Sequence, residues 1–492
     1  MSESQSRSEI DLAFRSATEL AAALRARRVG CEELLEHYLA RAARWNPAIN
    51  AIVAWDVEGA RERARRADAA LARGESWGPL HGVPMTIKDS IEVAGMPTTS
   101  GAPALREHRP AAHAPAAQRA IDAGAVVFGK TNLPIYAGDF QSYNDVYGVT
   151  RNPWNPERTP GGSSGGSAAA LAAGLTGLEI GSDIGGSIRN PSHFCGTYGL
   201  KPSYGLVPTR GHVPGPPGTL AEADLAVIGP MARSAADLAL GLDVLAGPDR
   251  WDARAWRVEL PPPRADRLRD FRVAAWLDHP QGALASEVAE RLHAAVDAIA
   301  RAGAHVDAAA RPVDGDESFA LYLRMLYGVL ANGFPPALLE GLDAAWPRLA
   351  SEDTGLQANL VRGVSQRHRD WLRDAERRAR LRAAWDAFFR DFDVLLAPVM
   401  PTAAFAHDHS DIATRTIAVE GKQVPYFQQL FWAGVVGVVH LPSVVAPVGR
   451  TPEGLPVGVQ IVAPYLEDRT AIRFAERLAE AIGGFVAPPG FA

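Results

Sequence analysis

The chain has 492 residues, of which 47% are hydrophobic and 22% are charged. These proportions are ordinary for folded globular proteins and exclude a disordered, collagenous or coiled-coil chain. A formal net charge of −6 gives no overall attraction to nucleic acid or to an anionic membrane. The chain has two cysteines, Cys31 and Cys195, which are too few for a disulfide scaffold and favour a reducing compartment.

The N-terminal segment and the apolar runs bear on cellular location. The sequence MSESQSRSEIDLAF carries acidic residues where a secretion signal needs a basic flank. The longest apolar run, residues 430–439, is shorter than the ~20 residues that span a bilayer. We therefore expect no signal peptide and no transmembrane helix, and we predict a cytoplasmic protein.

The first predicted elements are helices. Ser16 and Glu19 match a capping box, which predicts a helix that ends before Gly30. Two further helical patterns follow at about 32–45 and 57–73. Short apolar segments bounded by Gly and Pro then predict strands, at 83–87, 125–128, 178–180 and 198–200. Because helical patterns lie between these strands, we predict an α/β fold around a mixed sheet.

After residue 210 the sequence predicts a loop, then a strand and helices. Residues 211–218 are rich in Pro and Gly, and this composition predicts a loop of defined conformation. A strand is predicted at 273–277 and a helix at 287–301. Segment 362–390 is rich in arginine, but its apolar residues recur at helical spacing. We therefore expect the arginines to lie on the solvent-exposed face of a packed helix and not to bind nucleic acid.

Three glycine-rich stretches each contain a nucleophile or a base: Lys88 in 82–89, Ser163 in 160–167 and Ser187 in 181–189. A single glycine cluster is most simply a tight turn, but three so close together favour a functional site. They do not match a nucleotide-binding loop, because neither serine loop has the lysine of a P-loop and no G-x-G-x-x-G follows a predicted strand.

One alternative assigns Ser163 as the nucleophile. Residues 161–165 match the G-x-S-x-G elbow of α/β-hydrolase esterases, in which a hydrophobic strand runs directly into the serine. Here the preceding residues 152–160 are rich in Pro and Asn and resemble a loop. An α/β-hydrolase-type esterase therefore remains the weaker alternative.

The spacing of Lys88, Ser163 and Ser187 resembles that of the amidase signature family. Other segments of the sequence also resemble motifs of this family: K-T-N-L-P (130–134), N-P-W (152–154), F-C-G-T-Y-G-L-K-P-S-Y-G (194–205), G-P-M-A-R-S (229–234), D-V-L-L-A-P (393–398) and G-L-P-V-G-V-Q-I-V (454–462). The resemblance covers nearly the whole chain and implies a twisted mixed sheet sandwiched between helices. It implies one domain over 1–492, divided into N-terminal helices (1–75), a catalytic core (76–250), a divergent cap that forms the substrate pocket (251–420) and C-terminal core strands with a helix (421–492).

The resemblance also implies a role for each of these residues. Ser187 would be the nucleophile, Ser163 a bridging serine and Lys88 the base, and no metal or other cofactor takes part. A serine hydroxyl must give up its proton as it attacks a carbonyl. A lysine accepts that proton near neutral pH only if burial lowers its pKa well below about 10.4.

Further residues are expected to support the reaction. The expected oxyanion hole consists of the backbone N–H groups of Ile184, Gly185, Gly186 and Ser187. The supporting residues are Ser164, through a hydrogen bond, and Asp183 with Arg189, through an ion pair. The expected substrate-binding residues are Tyr136, Ala137 and Gly138. Three other features are expected to be structural. The cluster at 407–411 resembles a metal site, His193 resembles a catalytic base, and Cys195 is a further potential nucleophile.

The expected substrates are neutral small amides with aryl or short acyl groups, and aryl carbamates (urethanes) or esters as secondary substrates. The expected partner is therefore a small-molecule amide, with no nucleic acid or membrane, and the protein is expected to be a monomer or homodimer. The alternative is the glutaminase subunit of a tRNA-dependent amidotransferase. The sequence of residues 206–220 differs from the motifs that are typical of that branch of the family.

Overall fold

The computed structural model describes residues 12–491, and an eleven-stranded mixed sheet runs through it. The strands are β1 (Ile52–Trp55), β2 (Pro84–Lys88), β3 (Val126–Thr131), β4 (Tyr143–Asn144), β5 (Gly148–Val149), β6 (Glu179–Asp183), β7 (Tyr198–Lys201), β8 (Val227–Ala232), β9 (Arg272–Ala275), β10 (His305–Asp307), β11 (Val394–Pro398), β12 (Thr416–Val419), β13 (Lys422–Pro425), β14 (Ser443–Arg450) and β15 (Pro456–Val462). The order in the large sheet is β1-β3-β2-β6-β8-β7-β14-β15-β11-β9-β10, while β4–β5 and β12–β13 form separate pairs. Strand β2 is parallel to both β3 and β6, whereas β6 is antiparallel to β8.

Helices lie on both faces of this sheet. They are α1 (Ala17–Arg25), α2 (Cys31–Ile49), α3 (Val57–Ala72), α4 (Pro115–Asp122), α5 (Gly165–Ala172), α6 (Arg189–Cys195), α7 (Ala235–Leu245), α8 (Ser286–Arg301), α9 (Gly315–Leu330), α10 (Pro336–Ala345), α11 (Leu356–Ser365), α12 (His368–Asp391), α13 (Phe431–Gly437) and α14 (Asp468–Ile482). Alternate residues of β11 belong to different cores: Val394 and Leu396 to one, Leu395 and Ala397 to the other. This two-residue period is that of a strand buried on both faces, so the predicted α/β fold with a mixed sheet between helices is confirmed.

The predicted helices agree closely with the structure. Ser16 Oγ accepts the Glu19 N–H at 3.1 Å and the Glu19 carboxylate accepts the Ser16 N–H at 2.9 Å, so the capping box is present. Helix α2 runs to Ile49, four residues beyond the prediction, and ends where Asn50 adopts a left-handed conformation. The arginine-rich segment is not one helix, since α11 and α12 meet near residue 366.

Two strands continue further than their apolar patterns predict. Strand β3 extends through Lys130 and Thr131, and β6 extends through Ser182 and Asp183. These polar residues are buried, so an apolar run cannot reveal them. Both extensions lie at the carboxyl ends of the parallel strands, where Lys88 ends β2.

The expectations about membranes and loops have separate outcomes. Within residues 12–491, no helix is long and apolar enough to cross a membrane. The first eleven residues, on which part of the signal-peptide expectation depends, lie outside the described residues.

Residues 211–218 form a loop as predicted. This loop contacts the segment that follows β2, where the Val213 N–H donates to the Ser90 carbonyl at 2.7 Å.

Candidate active site

Lys88 and Ser182 reach the same edge of the sheet. Strands β2 and β6 are parallel neighbours, with Thr86 opposite Glu179 and Ile87 opposite Ile180. Because parallel strands end on the same side, the last residue of β2 lies beside the end of β6. The loops that follow these strands carry the remaining candidate residues.

The Lys88 amine is fully buried and is surrounded by hydroxyl groups. Its Nζ lies 2.6 Å from Ser163 Oγ, 2.9 Å from Ser182 Oγ and 3.0 Å from Ser164 Oγ. Burial lowers the pKa of Lys88 to about 7, although the nearby Asp183 and Glu179 carboxylates act in the opposite direction. A neutral amine has a lone pair, so one of these hydroxyls can donate its proton to Nζ.

A comparison with the other lysines shows what is special about Lys88. The chain has four lysines, Lys88, Lys130, Lys201 and Lys422, and the first three are buried. Lys130 donates to the Ile91 carbonyl and contacts one hydroxyl, that of Thr98, while Lys201 donates to the Leu441 carbonyl. A carbonyl only accepts hydrogen bonds, whereas a hydroxyl also donates. Lys88 differs from both in that it contacts three hydroxyls, so it has the most groups that can donate a proton to it.

Ser163 is held in a tight loop that precedes α5. Gly161 has a φ of +90°, and a Cβ on Gly162 would lie 2.4 Å from the Asp139 carbonyl oxygen. Both positions therefore require glycine. The Gly162–Ser163 peptide bond is cis.

The nucleophile-elbow alternative is not supported by this loop. Residues 152–160 contain turns and isolated bridges but no strand. The Ser163 hydroxyl contacts a lysine and not a histidine. An elbow needs a strand that enters the serine directly, so this alternative is wrong.

Ser187 ends the turn 184–187, which joins β6 to α6 and is here called the oxyanion turn. The Asp183 carboxylate accepts the Gly186 N–H at 2.9 Å and the Ile188 N–H at 3.0 Å, and it pairs with Arg189 at 2.8 Å. Burial alone would raise the pKa of Asp183, but Arg189 and these N–H groups outweigh it and hold the pKa well below its usual range. The carboxylate therefore stays charged and fixes the turn.

One expected oxyanion donor is already occupied. The Gly186 N–H points to Asp183 and is not free to bind a substrate oxygen, so its assignment as a donor is corrected. Within residues 12–491, the N–H groups of Ile184, Gly185 and Ser187 have no backbone acceptor. The candidate oxyanion hole is thus reduced to these three N–H groups.

The two serine loops are fixed to each other. The Ser164 N–H donates to the Ser187 carbonyl at 3.0 Å, and the Gly162 N–H donates to Asn190 Oδ1 at 3.0 Å. Ser187 is 8% exposed, whereas Ser163 and Lys88 are 0% exposed. Of these three side chains, Ser187 is therefore the one that is partly accessible to solvent.

The expected substrate-binding residues precede a segment that packs on the Ser163 loop. Tyr136 and Ala137 form a turn with positive φ angles, the Tyr136 N–H donates to the Ser100 carbonyl, and the Tyr136 side chain is 43% exposed. The next residues, Asp139 and Phe140, pack against Gly162. Tyr136, Ala137 and Gly138 thus lie next to the segment that supports the Ser163 loop.

Three groups that resemble catalytic or metal sites have structural partners. His193 is buried, contacts the Gly458 and Thr402 backbone, and has its pKa lowered to about 4, chiefly by burial. Cys195 is buried, and burial raises its pKa. His409 stacks on Tyr143 with the ring centroids 3.9 Å apart. In the described part of the chain, no group of His, Cys, Asp or Glu side chains is arranged to hold a metal ion.

The sequence did not identify Ser182 and Glu179. Ser182 is the third hydroxyl around Lys88. Glu179 is fully buried, contacts the Thr86 hydroxyl, and lies 3.5 Å from Thr131 Oγ. Burial raises the pKa of Glu179 to about 8. For Glu179 the available signal was a glutamate between Leu178 and Ile180 in a short apolar segment.

Comparisons with known proteins found similar chains over nearly the full length of this one. The family model described as Amidase matches residues 33–472. A curated glutamyl-tRNA(Gln) amidotransferase subunit from Anaeromyxobacter dehalogenans (strain 2CP-C) is 33% identical, and the alignment covers 96% of this chain and 97% of that protein. A solved bacterial aryl acylamidase of the amidase signature family is 26% identical, with a TM-score of 0.78 and 96% of each chain covered. A chain from a vestigial protein complex linked to the origins of an s-triazine catabolic enzyme is 29% identical, with a TM-score of 0.79, and the match covers 96% of this chain and 100% of that one.

Proposed function

We propose that this chain, which belongs to the amidase family, hydrolyses the C–N bond of an amide through an acyl-enzyme on Ser187. The contact of 2.6 Å between Lys88 Nζ and Ser163 Oγ carries this proposal. Serine-based hydrolysis needs a base that is neutral near pH 7, and burial lowers the pKa of this amine to about 7.

In the proposed first step, Ser187 Oγ attacks the carbonyl carbon of the amide. The Ser187 proton passes to Ser163, while the Ser163 proton passes to Lys88 Nζ. The carbonyl oxygen becomes an oxyanion, which the N–H groups of Ile184, Gly185 and Ser187 stabilise. The Asp183–Arg189 pair keeps the oxyanion turn in position and takes no proton.

In the second step the C–N bond breaks, and the leaving nitrogen takes a proton that returns from Lys88 through Ser163. An amine is a poor leaving group without that proton. A water molecule then attacks the acyl carbon of the acyl-enzyme and loses a proton toward Lys88. The bond between the acyl carbon and Ser187 Oγ breaks, Ser187 Oγ takes that proton back from Lys88 through Ser163, and the carboxylic acid leaves. The enzyme returns to its starting protonation state.

The surroundings of the oxyanion turn support a neutral substrate. A Cβ on Gly185 would lie 2.8 Å from Leu430, and one on Gly186 would lie 3.3 Å from Ala433. These apolar side chains favour amides with aryl or short acyl groups. Aryl carbamates and esters present the same carbonyl group and are proposed as secondary substrates.

The curated relatives support a second candidate, and they support it better than they support small-amide hydrolysis. Several curated relatives are glutamyl-tRNA(Gln) amidotransferase subunits, at 33% identity over nearly the full length of both chains. In that candidate the chain releases ammonia from glutamine as one component of a larger assembly. Glutamine carries a charged α-amino and α-carboxyl group, for which Leu430 and Ala433 offer no partner.

A substrate panel distinguishes the two candidates. The purified chain is assayed alone against acyl anilides, short aliphatic amides, an aryl carbamate and glutamine. Turnover of anilides or aliphatic amides supports the first candidate. Glutaminase activity that appears only with copurifying partner proteins supports the second and overturns the first.

Covalent labelling tests the catalytic assignment directly. A fluorophosphonate should attach to Ser187, as located by peptide mass mapping, and Ser187→Ala should remain unlabelled and inactive while it retains its fold. A label on Ser163 in the unmodified enzyme would overturn the assignment.

The organisation of the chain is also part of the proposal. Segments 76–250 and 421–492 contribute neighbouring strands to one sheet, with β7 beside β14, which supports a single domain over 1–492. We expect one cooperative unfolding transition. For the first candidate we further expect a cytoplasmic monomer or homodimer, and light scattering of the purified protein can test its oligomeric state.

A further inference from the structure

Tyr322 connects helix α9 to the oxyanion turn. Its side chain is fully buried, and its hydroxyl donates a hydrogen bond to the Ile184 carbonyl at 3.0 Å. Helix α9 belongs to the segment 251–420, which is distant in sequence from the catalytic core. The contact therefore links the divergent segment to the residues that surround the reacting carbonyl.

Close packing fixes the position of the Tyr322 ring. A Cβ on Gly434, in α13, would lie 2.4 Å from ring atom Cδ1. A Cβ on Gly185 would lie 3.1 Å from the hydroxyl oxygen. Because glycine at both positions lets the ring lie against the backbone, the hydroxyl has little freedom to leave the Ile184 carbonyl.

We infer that Tyr322 is a positioning residue of the oxyanion hole. The peptide unit between Ile184 and Gly185 is planar and trans, so its C=O and N–H groups point in opposite directions. The hydrogen bond that holds the Ile184 carbonyl on one side therefore holds the Gly185 N–H on the other. This inference rests on the proposed function, in which that N–H binds the substrate oxygen.

The variant Tyr322→Phe removes the hydroxyl and keeps the ring. We expect kcat to fall by between ~10-fold and the ~100-fold typical of the loss of one oxyanion donor, with KM nearly unchanged. Tyr327→Phe is the matched control, because Tyr327 is also buried in α9 and its hydroxyl has no hydrogen-bond partner among the described residues. The control should keep the parent kcat.

A pair of inhibitors separates positioning from a general structural effect. A trifluoromethyl ketone matched to the acyl group of the best substrate forms an oxyanion when Ser187 adds to it, whereas the corresponding trifluoromethyl carbinol cannot. Tyr322→Phe should weaken binding of the ketone by about the factor lost in kcat and leave binding of the carbinol unchanged. Circular dichroism and thermal unfolding of each variant establish that the fold is kept.

The outcomes of these experiments are distinct. Unchanged kcat and ketone affinity in Tyr322→Phe would overturn the inference, and so would equal losses of ketone and carbinol affinity. If Ser187→Ala retained turnover, the proposed function itself would fail, whatever the result with Tyr322. If Ser187→Ala is inactive and Tyr322→Phe behaves as the parent enzyme, only the inference about Tyr322 fails.

Discussion

Lys88 Nζ lies 2.6 Å from Ser163 Oγ, and both residues are fully buried at the carboxyl end of β2. A charged amine there has lost its hydration and has no carboxylate in ion-pair contact within residues 12–491. The neutral amine is therefore favoured over the ammonium ion relative to water. This relationship makes the activity dependent on pH.

The first prediction concerns the pH profile of kcat/KM. Since only neutral Lys88 accepts a proton, kcat/KM should rise ~10-fold per pH unit below pH 7 and reach a plateau above it. Lys88→Ala should lose amide hydrolysis by several orders of magnitude and should lose nitrophenyl-ester hydrolysis less, because nitrophenolate leaves without a proton. Equal losses on both substrates and an unchanged pH profile would show that Lys88 is structural.

The second prediction concerns the buried carboxyl of Glu179. Burial raises the pKa of Glu179 to about 8, so this carboxyl is largely protonated over the pH range in which Lys88 titrates. Gln resembles a protonated Glu, so Glu179→Gln should leave the acidic limb of the kcat/KM profile in place. The charged groups near Glu179 include Lys88 on β2 and Lys130 on β3, of which Lys88 belongs to the proposed catalytic machinery.

The exposed variant Glu75→Gln is the control and should leave the profile in place. An acidic limb that moves to lower pH in folded Glu179→Gln but not in Glu75→Gln would show that Glu179 is ionised beside Lys88 and would contradict the prediction.

The third prediction concerns the buried Asp183–Arg189 pair. Asp183→Asn leaves the Arg189 charge buried without its partner, which typically costs about 3–5 kcal/mol of unfolding free energy. Both stability and kcat should fall, because the oxyanion turn also loses acceptor strength. The exposed Asp270→Asn variant removes a surface ion pair and should leave the Tm unchanged. A native Tm in Asp183→Asn, measured by calorimetry, would contradict this role.

The sign of the pH effect follows from the low pKa of Asp183. A carboxyl whose pKa is lower in the folded state contributes stability above its unfolded pKa of about 3.9. That contribution should be lost as the pH falls below this value, which acid unfolding of the parent enzyme and of Asp183→Asn can compare.

The fourth prediction concerns the backbone beside Ser163. Gly162→Ala places a methyl 2.4 Å from the Asp139 carbonyl oxygen, so the loop must move. We expect a loss of activity and of stability. Gly341→Ala, in helix α10 with open space around it, is the matched control and should be more stable by about 0.5–1 kcal/mol. Full activity in Gly162→Ala would show that the loop tolerates displacement.

The sequence predicts the candidate catalytic residues better than it predicts their surroundings. Lys88, Ser163 and Ser187 are visible because they lie in glycine-rich loops with a recognisable spacing. Ser182 is not, because it lies on a strand whose apolar pattern ends at Ile180. Hydrophobic alternation cannot identify a buried polar residue whose partners come from another strand.

The residues that face the oxyanion turn are the least predictable. Tyr322 and Leu430 come from α9 and the segment before α13, more than one hundred residues after Ser187, and only tertiary packing brings them to the turn. The assignment of Gly186 as a donor failed for a related reason. Its N–H is directed by Asp183, and no sequence pattern distinguishes an N–H that points to a neighbouring carboxylate from one that points to a substrate.

The central claim is that Lys88 is neutral near physiological pH, and an NMR titration of the lysine side chains tests it most directly. The chain has four lysines, so labelling with ε-¹³C lysine gives four side-chain signals, and Lys88→Met assigns one of them. We predict that this signal titrates with a pKa of about 7. A Lys88 signal that stays in its protonated position up to about pH 10, as for an ordinary lysine, would contradict the account.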